Sequence, residues 1–177
     1  GDIEIIEVNL VEGEQRSDDH LARNEAGTVP VLELDDGEYL TESLPIMEFL
    51  EELYPQPVMI GATPEERART RAFERHVDMC ILMPITRIVH ATRSPLGLPP
   101  SEEVAARERD RLAVTLPRVD ARVGEGPFAM GDAPTIVDCT LFAALQFGEF
   151  FGVQLPGDCA NLQAWYQRYK AHRAALS

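Results

Sequence analysis

Few residues of this sequence are placed to do chemistry. Glu42-Ser43 stands just ahead of a run with apolar residues at Ile46, Phe49, Leu50 and Leu53, so Ser43 is read as the N-cap of a helix. A helix start carries N–H groups without intrahelical partners and the positive end of the dipole, and both favour an anionic carboxylate. Arg16, beside Gln15, puts positive charge into a very acidic chain. His76 and Cys80 are four residues apart and could share a helix face. Two such residues with no matching pair elsewhere are too few for zinc, so no metal is expected. His90 reads as an ordinary helix residue. Met79, Leu82, Met83, Phe147 and Phe150 could line an apolar pocket or simply fill core, since methionine fits irregular apolar gaps. Taken singly, each polar candidate also has a bland reading: Ser43 a cap, Glu42 a solvated loop acid, Pro30 a trans proline at a strand edge, Arg16 a surface residue.

The elements that must position these residues change texture near Pro55–Pro64. Ile3, Ile5, Ile6, Val8 and Leu10 mostly alternate and predict a strand ended by Gly13. Ser17 followed by Asp18 and Asp19 predicts a short helix, and residues 24–27 a loop. Val31, Leu32 and Leu34 predict a strand, Asp35-Asp36-Gly37 a hairpin turn, and Tyr39-Leu40 the returning strand. Ser43 then opens a helix closed by Tyr54-Pro55, with Pro45 in its first turn. After a linker over residues 56–64, everything reads as helix. Pro64 opens a helix that Pro84 should kink or split, Ser101 opens another in which Pro117 sits, and Ser94–Pro100 breaks the two. Thr135 with Asp138 makes a capping-box pattern, and the run after it is apolar on most sides, as in a central buried helix. Leu162, Trp165, Tyr166 and Tyr169 make one face of the last helix.

The chain has 177 residues, 45% hydrophobic and 26% charged, which suits one or two folded domains. Its net charge of −14 repels phosphate backbones and anionic lipid surfaces, so no nucleic acid and no membrane are expected as partners. Cys80, Cys139 and Cys159 are odd in number, show no CxxC spacing and suit a reducing compartment; a cytoplasmic protein is expected. No apolar run reaches the ~18–20 residues that span a bilayer.

Gly13-Glu14-Gln15-Arg16-Ser17, then Asn24-Glu25-Ala26-Gly27-Thr28-Val29-Pro30-Val31-Leu32, Asp36-Gly37, Thr41-Glu42-Ser43 and Tyr54-Pro55 together resemble the N-terminal domain of glutathione transferases. Gly131-Asp132 followed by Thr135-Ile136-Val137-Asp138 is similar to the signature of that family's helical domain, so the resemblance covers almost the entire chain. It implies an α/β thioredoxin-like domain over residues 1–60 and an all-α helical-bundle domain over 64–177. It implies glutathione as co-substrate. Val29-Pro30, through a cis peptide, would present the Val29 backbone to the cysteinyl group; Glu42 and Ser43 would take the γ-glutamyl group; Gln15 and Arg16 would take the glycyl carboxylate. The implied reaction is attack of the glutathione thiolate on an electrophilic small molecule, by a protein that forms homodimers through the exposed face of the helix opening at Pro64. A non-catalytic interaction module of the same family, or a glutathione-dependent thiol reductase or dehalogenase, stands as the alternative.

Three departures accompany the resemblance. Glu25 replaces a usual proline and Pro45 a usual alanine, both with small expected effect. The third is larger. The family's domain begins with a strand and a helix carrying the Ser, Tyr or Cys that activates the glutathione thiol, and this sequence begins at what would be the second strand. A longer natural chain, a truncated one, or a strand supplied by a partner chain would each account for this; the expectation is that the natural chain is longer, and the catalytic residue is unknown from these residues.

Overall fold

A computed structural model describes residues 3–153 and 158–175. The chain divides into two units, residues 1–55 and 56–177.

In the first unit, the Ser17 hydroxyl accepts from the His20 N–H and caps α1 (Asp18–Arg23), whose first-turn acids Asp18 and Asp19 face the positive end of the dipole. Strands β1 (Val31–Glu33) and β2 (Tyr39–Thr41) pair antiparallel, with Val31 opposite Thr41, Leu32 opposite Leu40 and Glu33 opposite Tyr39. The Asp36-Gly37 turn joins them as expected: Gly37 has φ +83°, open to glycine, and the Asp36 carboxylate accepts from the Glu38 N–H. Helix α2 (Ser43–Leu53) buries Ile46 and half-buries Phe49 and Leu50.

Two local expectations are corrected. Residues 3–9 form no strand: β1 and β2 are the only strands among the described residues, and Ile5 and Ile6 are 86% and 68% exposed. Alternation supplies side chains for one sheet face, but a strand also needs a neighbouring strand to pair with, and among the described residues none pairs with residues 3–9. Ser43, in turn, is the first residue of α2 rather than its cap. Glu42 is the N-cap, at φ +70° and ψ 128°, and its side chain makes no capping bond. Strand β2 continues to Thr41, so the single residue Glu42 makes the whole change of direction from strand to helix. It does so in the positive-φ region that side chains other than glycine rarely enter.

The second unit is helical throughout. Thr63 caps α3 (Pro64–Val77) in a reciprocal capping box with Glu66, and Pro64 sits at the first position, where no N–H is needed. Pro84 does split the following helix. Lacking an N–H for the carbonyl four residues back, it is preceded by a π-helical turn (Asp78–Leu82) before α4 (Met83–Arg93) resumes. Helix α5 (Glu102–Val123) is capped by the Ser101 hydroxyl and runs on through Pro117. Helices α6 (Ile136–Phe150) and α7 (Ala160–Ala174) complete the unit. Its core gathers Phe73 and Val77, Leu116, Leu141, and the α7 face Leu162 and Trp165. The apolar face read from the sequence in α7 is buried, α5 buries Leu112, Leu116, Val119 and Val123, and α6 is buried along most of its length.

Candidate functional site

Val29-Pro30 and Glu42-Ser43 meet at the open end of the β1–β2 hairpin. The ladder ends at the Val31–Thr41 pair. One residue beyond it on each strand stand Pro30 and Glu42, and next to these Val29 and Ser43. The register therefore brings the two dipeptides to the same end of the hairpin, although eleven residues separate them in sequence. The Val29–Pro30 peptide is cis, as the resemblance implies. Val29 is 42% exposed, and its backbone lies just outside the ladder. Ser43, the first residue of α2, presents the N–H groups of a helix start.

Gln15 and Arg16 lie in a single 3-10 turn (Glu14–Arg16) entered by Gly13 at φ +79°. Gln15 is buried; its Nε2 donates to the Leu10 carbonyl at 3.3 Å, and its Oε1 is buried with no partner. Arg16 is exposed and reaches the Ala26 carbonyl at 3.5 Å through one guanidinium nitrogen, leaving its other donors free to meet a ligand. This turn packs directly on the loop leading to Val29. A Cβ on Gly27 would sit 2.8 Å from the Gln15 carbonyl oxygen and 2.9 Å from Arg16 Nη1, and Gly27 has φ +60°, so only glycine fits there.

Two buried polar residues in this region carry no site reading from the sequence. His20 Nε2 lies 3.0 Å from the Thr28 carbonyl oxygen, and Asn24 Nδ2 donates to the same oxygen at 2.9 Å. Asn24 opens the segment that carries the resemblance and is otherwise a loop residue, and His20 falls in the first turn of α1. No spacing rule links the two, because Asn24 is the C-cap of α1, in extended backbone, and their shared partner lies further along the loop.

In the second unit, His76 is exposed, and His90 contacts the Ser94 hydroxyl at 3.0 Å. Among the described residues no group of three or more His, Cys, Asp or Glu is placed to hold a metal ion. Burial pushes the thiols of Cys139 and Cys159 up from the ordinary cysteine range, so neither is an activated nucleophile. Of the apolar group, Leu82 and Phe147 pack against the core, whereas Met79, Met83 and Phe150 remain 50%, 40% and 81% exposed. None of the described helices is long and apolar enough to cross a membrane.

A small hairpin flanked by helices, followed by an all-helical unit, defines the class: a thioredoxin-like domain joined to a helical domain. Residues 2–58 match the glutathione S-transferase N-terminal domain and residues 77–172 the glutathione S-transferase C-terminal domain. Glutathione S-transferase 2 of Saccharomyces cerevisiae is 32% identical over 170 residues, 94% of this chain and 73% of that protein. The crystal structure of Gtt2 from the same yeast superposes with a TM-score of 0.85 at 32% identity, over 94% of this chain and 82% of that one. Maleylacetoacetate isomerase of Pseudomonas aeruginosa is 33% identical over 156 residues, 87% of this chain and 73% of that protein. The chain belongs to the glutathione S-transferase family.

Proposed function

We propose that this chain binds glutathione in its first unit and takes part in attack of the glutathione thiolate on an electrophilic small molecule. The observation that carries the reading is the meeting of Val29-Pro30 with Glu42-Ser43 at one end of the hairpin. In this reading the domain over residues 1–60 holds the tripeptide. The Val29 backbone pairs with the cysteinyl group as an added strand would. The α2 N-terminus and Ser43 take the γ-glutamyl carboxylate, and Glu42 takes its ammonium. Gln15 and Arg16 take the glycyl carboxylate, with the guanidinium supplying charge-assisted bonds. The helical domain over residues 64–177 offers exposed apolar surface at Met79, Met83 and Phe150 for the electrophile. Placement of the two reactants is then what this chain supplies to the rate, converting a bimolecular encounter into a held geometry. A homodimer and a cytoplasmic location belong to the same reading.

The similarity to the Pseudomonas isomerase favours a second reading, in which glutathione is returned after rearranging the second substrate rather than consumed. Mass spectrometry of the products separates the two: a stable thioether of glutathione supports transfer, and an isomer with free glutathione supports the second. Calorimetric titration with glutathione tests the common part. Binding in the millimolar range or tighter, weakened about tenfold by Ser43→Ala through loss of a ligand hydrogen bond, is the expected outcome. No binding by the unaltered protein overturns the glutathione reading and leaves the family's non-catalytic interaction role.

A further inference from the structure

We propose that His20 and Asn24 are positioning residues of the glutathione site, pinning the Thr28–Val29 peptide so that the Val29 N–H points to where the ligand's cysteinyl group pairs; this rests on the glutathione reading above. The Thr28 carbonyl oxygen is held from one side by two side chains of the same short segment, His20 Nε2 at 3.0 Å and Asn24 Nδ2 at 2.9 Å. A carbonyl only accepts, so His20 carries a proton on Nε2. Asn24 Nδ2 also reaches the Thr28 hydroxyl at 2.9 Å, and its Oδ1 accepts the Ala26 N–H at 3.1 Å. The two donors are themselves fixed. The His20 N–H is held by the Ser17 hydroxyl at 3.2 Å, and the Asn24 N–H by the His20 carbonyl at 2.9 Å. His20 and Asn24 are each 6% exposed, so these bonds form away from competing water.

The Thr28 carbonyl and the Val29 N–H belong to one planar peptide unit. That unit is trans, since Val29–Pro30 and Gln56–Pro57 are the cis bonds of the described residues. In a trans unit the two groups point in opposite directions. Drawing the carbonyl onto α1 therefore turns the Val29 N–H away from α1, and two donors on the carbonyl also polarise the amide and strengthen that N–H as a donor. The same turn is locked against Gln15 and Arg16 at Gly27, so the clamp sets the Val29 anchor and the Arg16 anchor relative to each other.

The test compares calorimetric glutathione affinity with thermal stability in three variants. Asn24→Asp keeps the acceptor for the Ala26 N–H but replaces the donor facing Thr28 with an oxygen. His20→Phe removes the second donor while filling the same space, and His20→Gln restores an amide donor. Asn24→Asp and His20→Phe should each weaken glutathione binding about tenfold, the loss of one buried hydrogen bond, and His20→Gln should recover most of it. The melting temperatures of His20→Phe and His20→Gln should stay close to each other while their affinities differ, which a purely structural role would not produce. Should Asn24→Asp fail to fold, the His20 pair decides, together with the Val29 amide proton shift in the unliganded protein, which should move upfield in His20→Phe. An unaltered protein that binds glutathione while these variants bind equally well overturns this inference alone. An unaltered protein that does not bind glutathione overturns the site reading and this role with it.

Discussion

Asp138 shows how much one side chain can be asked to do. It is fully buried, and its two oxygens accept four hydrogen bonds: the Ala129 N–H at 2.7 Å, the Trp165 indole N–H at 2.9 Å, and the Thr135 N–H and hydroxyl at 2.9 and 3.1 Å. The sequence pattern discloses the Thr135 half of this set, because a capping box is local. The Trp165 and Ala129 halves join α6 to α7 and to the loop before α6, and no spacing rule reveals them. Asp138→Asn keeps the shape but turns one acceptor into a donor facing donors, which should cost about 3 kcal/mol. Chemical denaturation should show that loss as a lower midpoint at an unchanged slope. Glu42 is the counterpart in the first unit. Its type is readable as a candidate ligand for an ammonium, but its positive φ follows from where β2 stops and α2 begins.

At the scale of elements, the reading succeeds wherever the determining contacts are near in sequence. The hairpin turn, the Ser17 and Ser101 caps and the break at Pro84 are all decided within four residues. The start of α3 is a further case, since Thr63 and Glu66 close a capping box around Pro64 within four residues. The Glu66 carboxylate accepts the Thr63 and Ala62 N–H groups at 3.1 and 2.9 Å, and those bonds, Thr63 first, hold its pKa below the ordinary carboxylate value. A carboxyl with a lower pKa folded than unfolded stabilises the fold above its unfolded pKa and loses that contribution as pH falls through the folded value. Stability should therefore fall on acidification below about pH 4.5, the Glu66 reference value. Glu66→Gln, measured by thermal melting across that range, should flatten this part of the slope. Thr63→Ala should lower the melting temperature at neutral pH by a few degrees.

The whole molecule adds a charge division that no single motif contains. Residues 1–55 hold sixteen Asp and Glu against two basic residues, Arg16 and Arg23, while residues 56–177 hold fourteen acids and fourteen bases. The net charge of −14 is thus the charge of the first unit alone. That unit also buries little apolar surface: Ile46 is its one buried hydrophobic side chain among the described residues, beside the polar Gln15, His20, Asn24 and Glu51. Self-repulsion and a small core both lower the free energy of local opening. Hydrogen exchange should therefore be faster for the amides of α1, β1, β2 and α2 than for those of α3, α5 and α6. Raising salt from about 10 mM to about 500 mM should slow exchange in the first unit more than in the second, because the repulsion is screened. Equal protection in both units at every salt concentration would contradict this account.

Residue order alone determined the family and the main elements: the Gln15-Arg16, Val29-Pro30, Glu42-Ser43 and Thr135–Asp138 segments each carry local chemistry, and turns, caps and helical stripes obey short-range sterics and hydrogen bonding. Tertiary structure decided the rest. It paired no strand with Ile3–Val8 among the described residues, made Ser43 a helical residue and Glu42 the turning point, and aimed His20 and Asn24 at the Thr28 carbonyl. Each of these depends on which backbone groups find partners across a loop or a sheet edge, and pairing at a distance is set by the folded chain rather than by the type of any one residue.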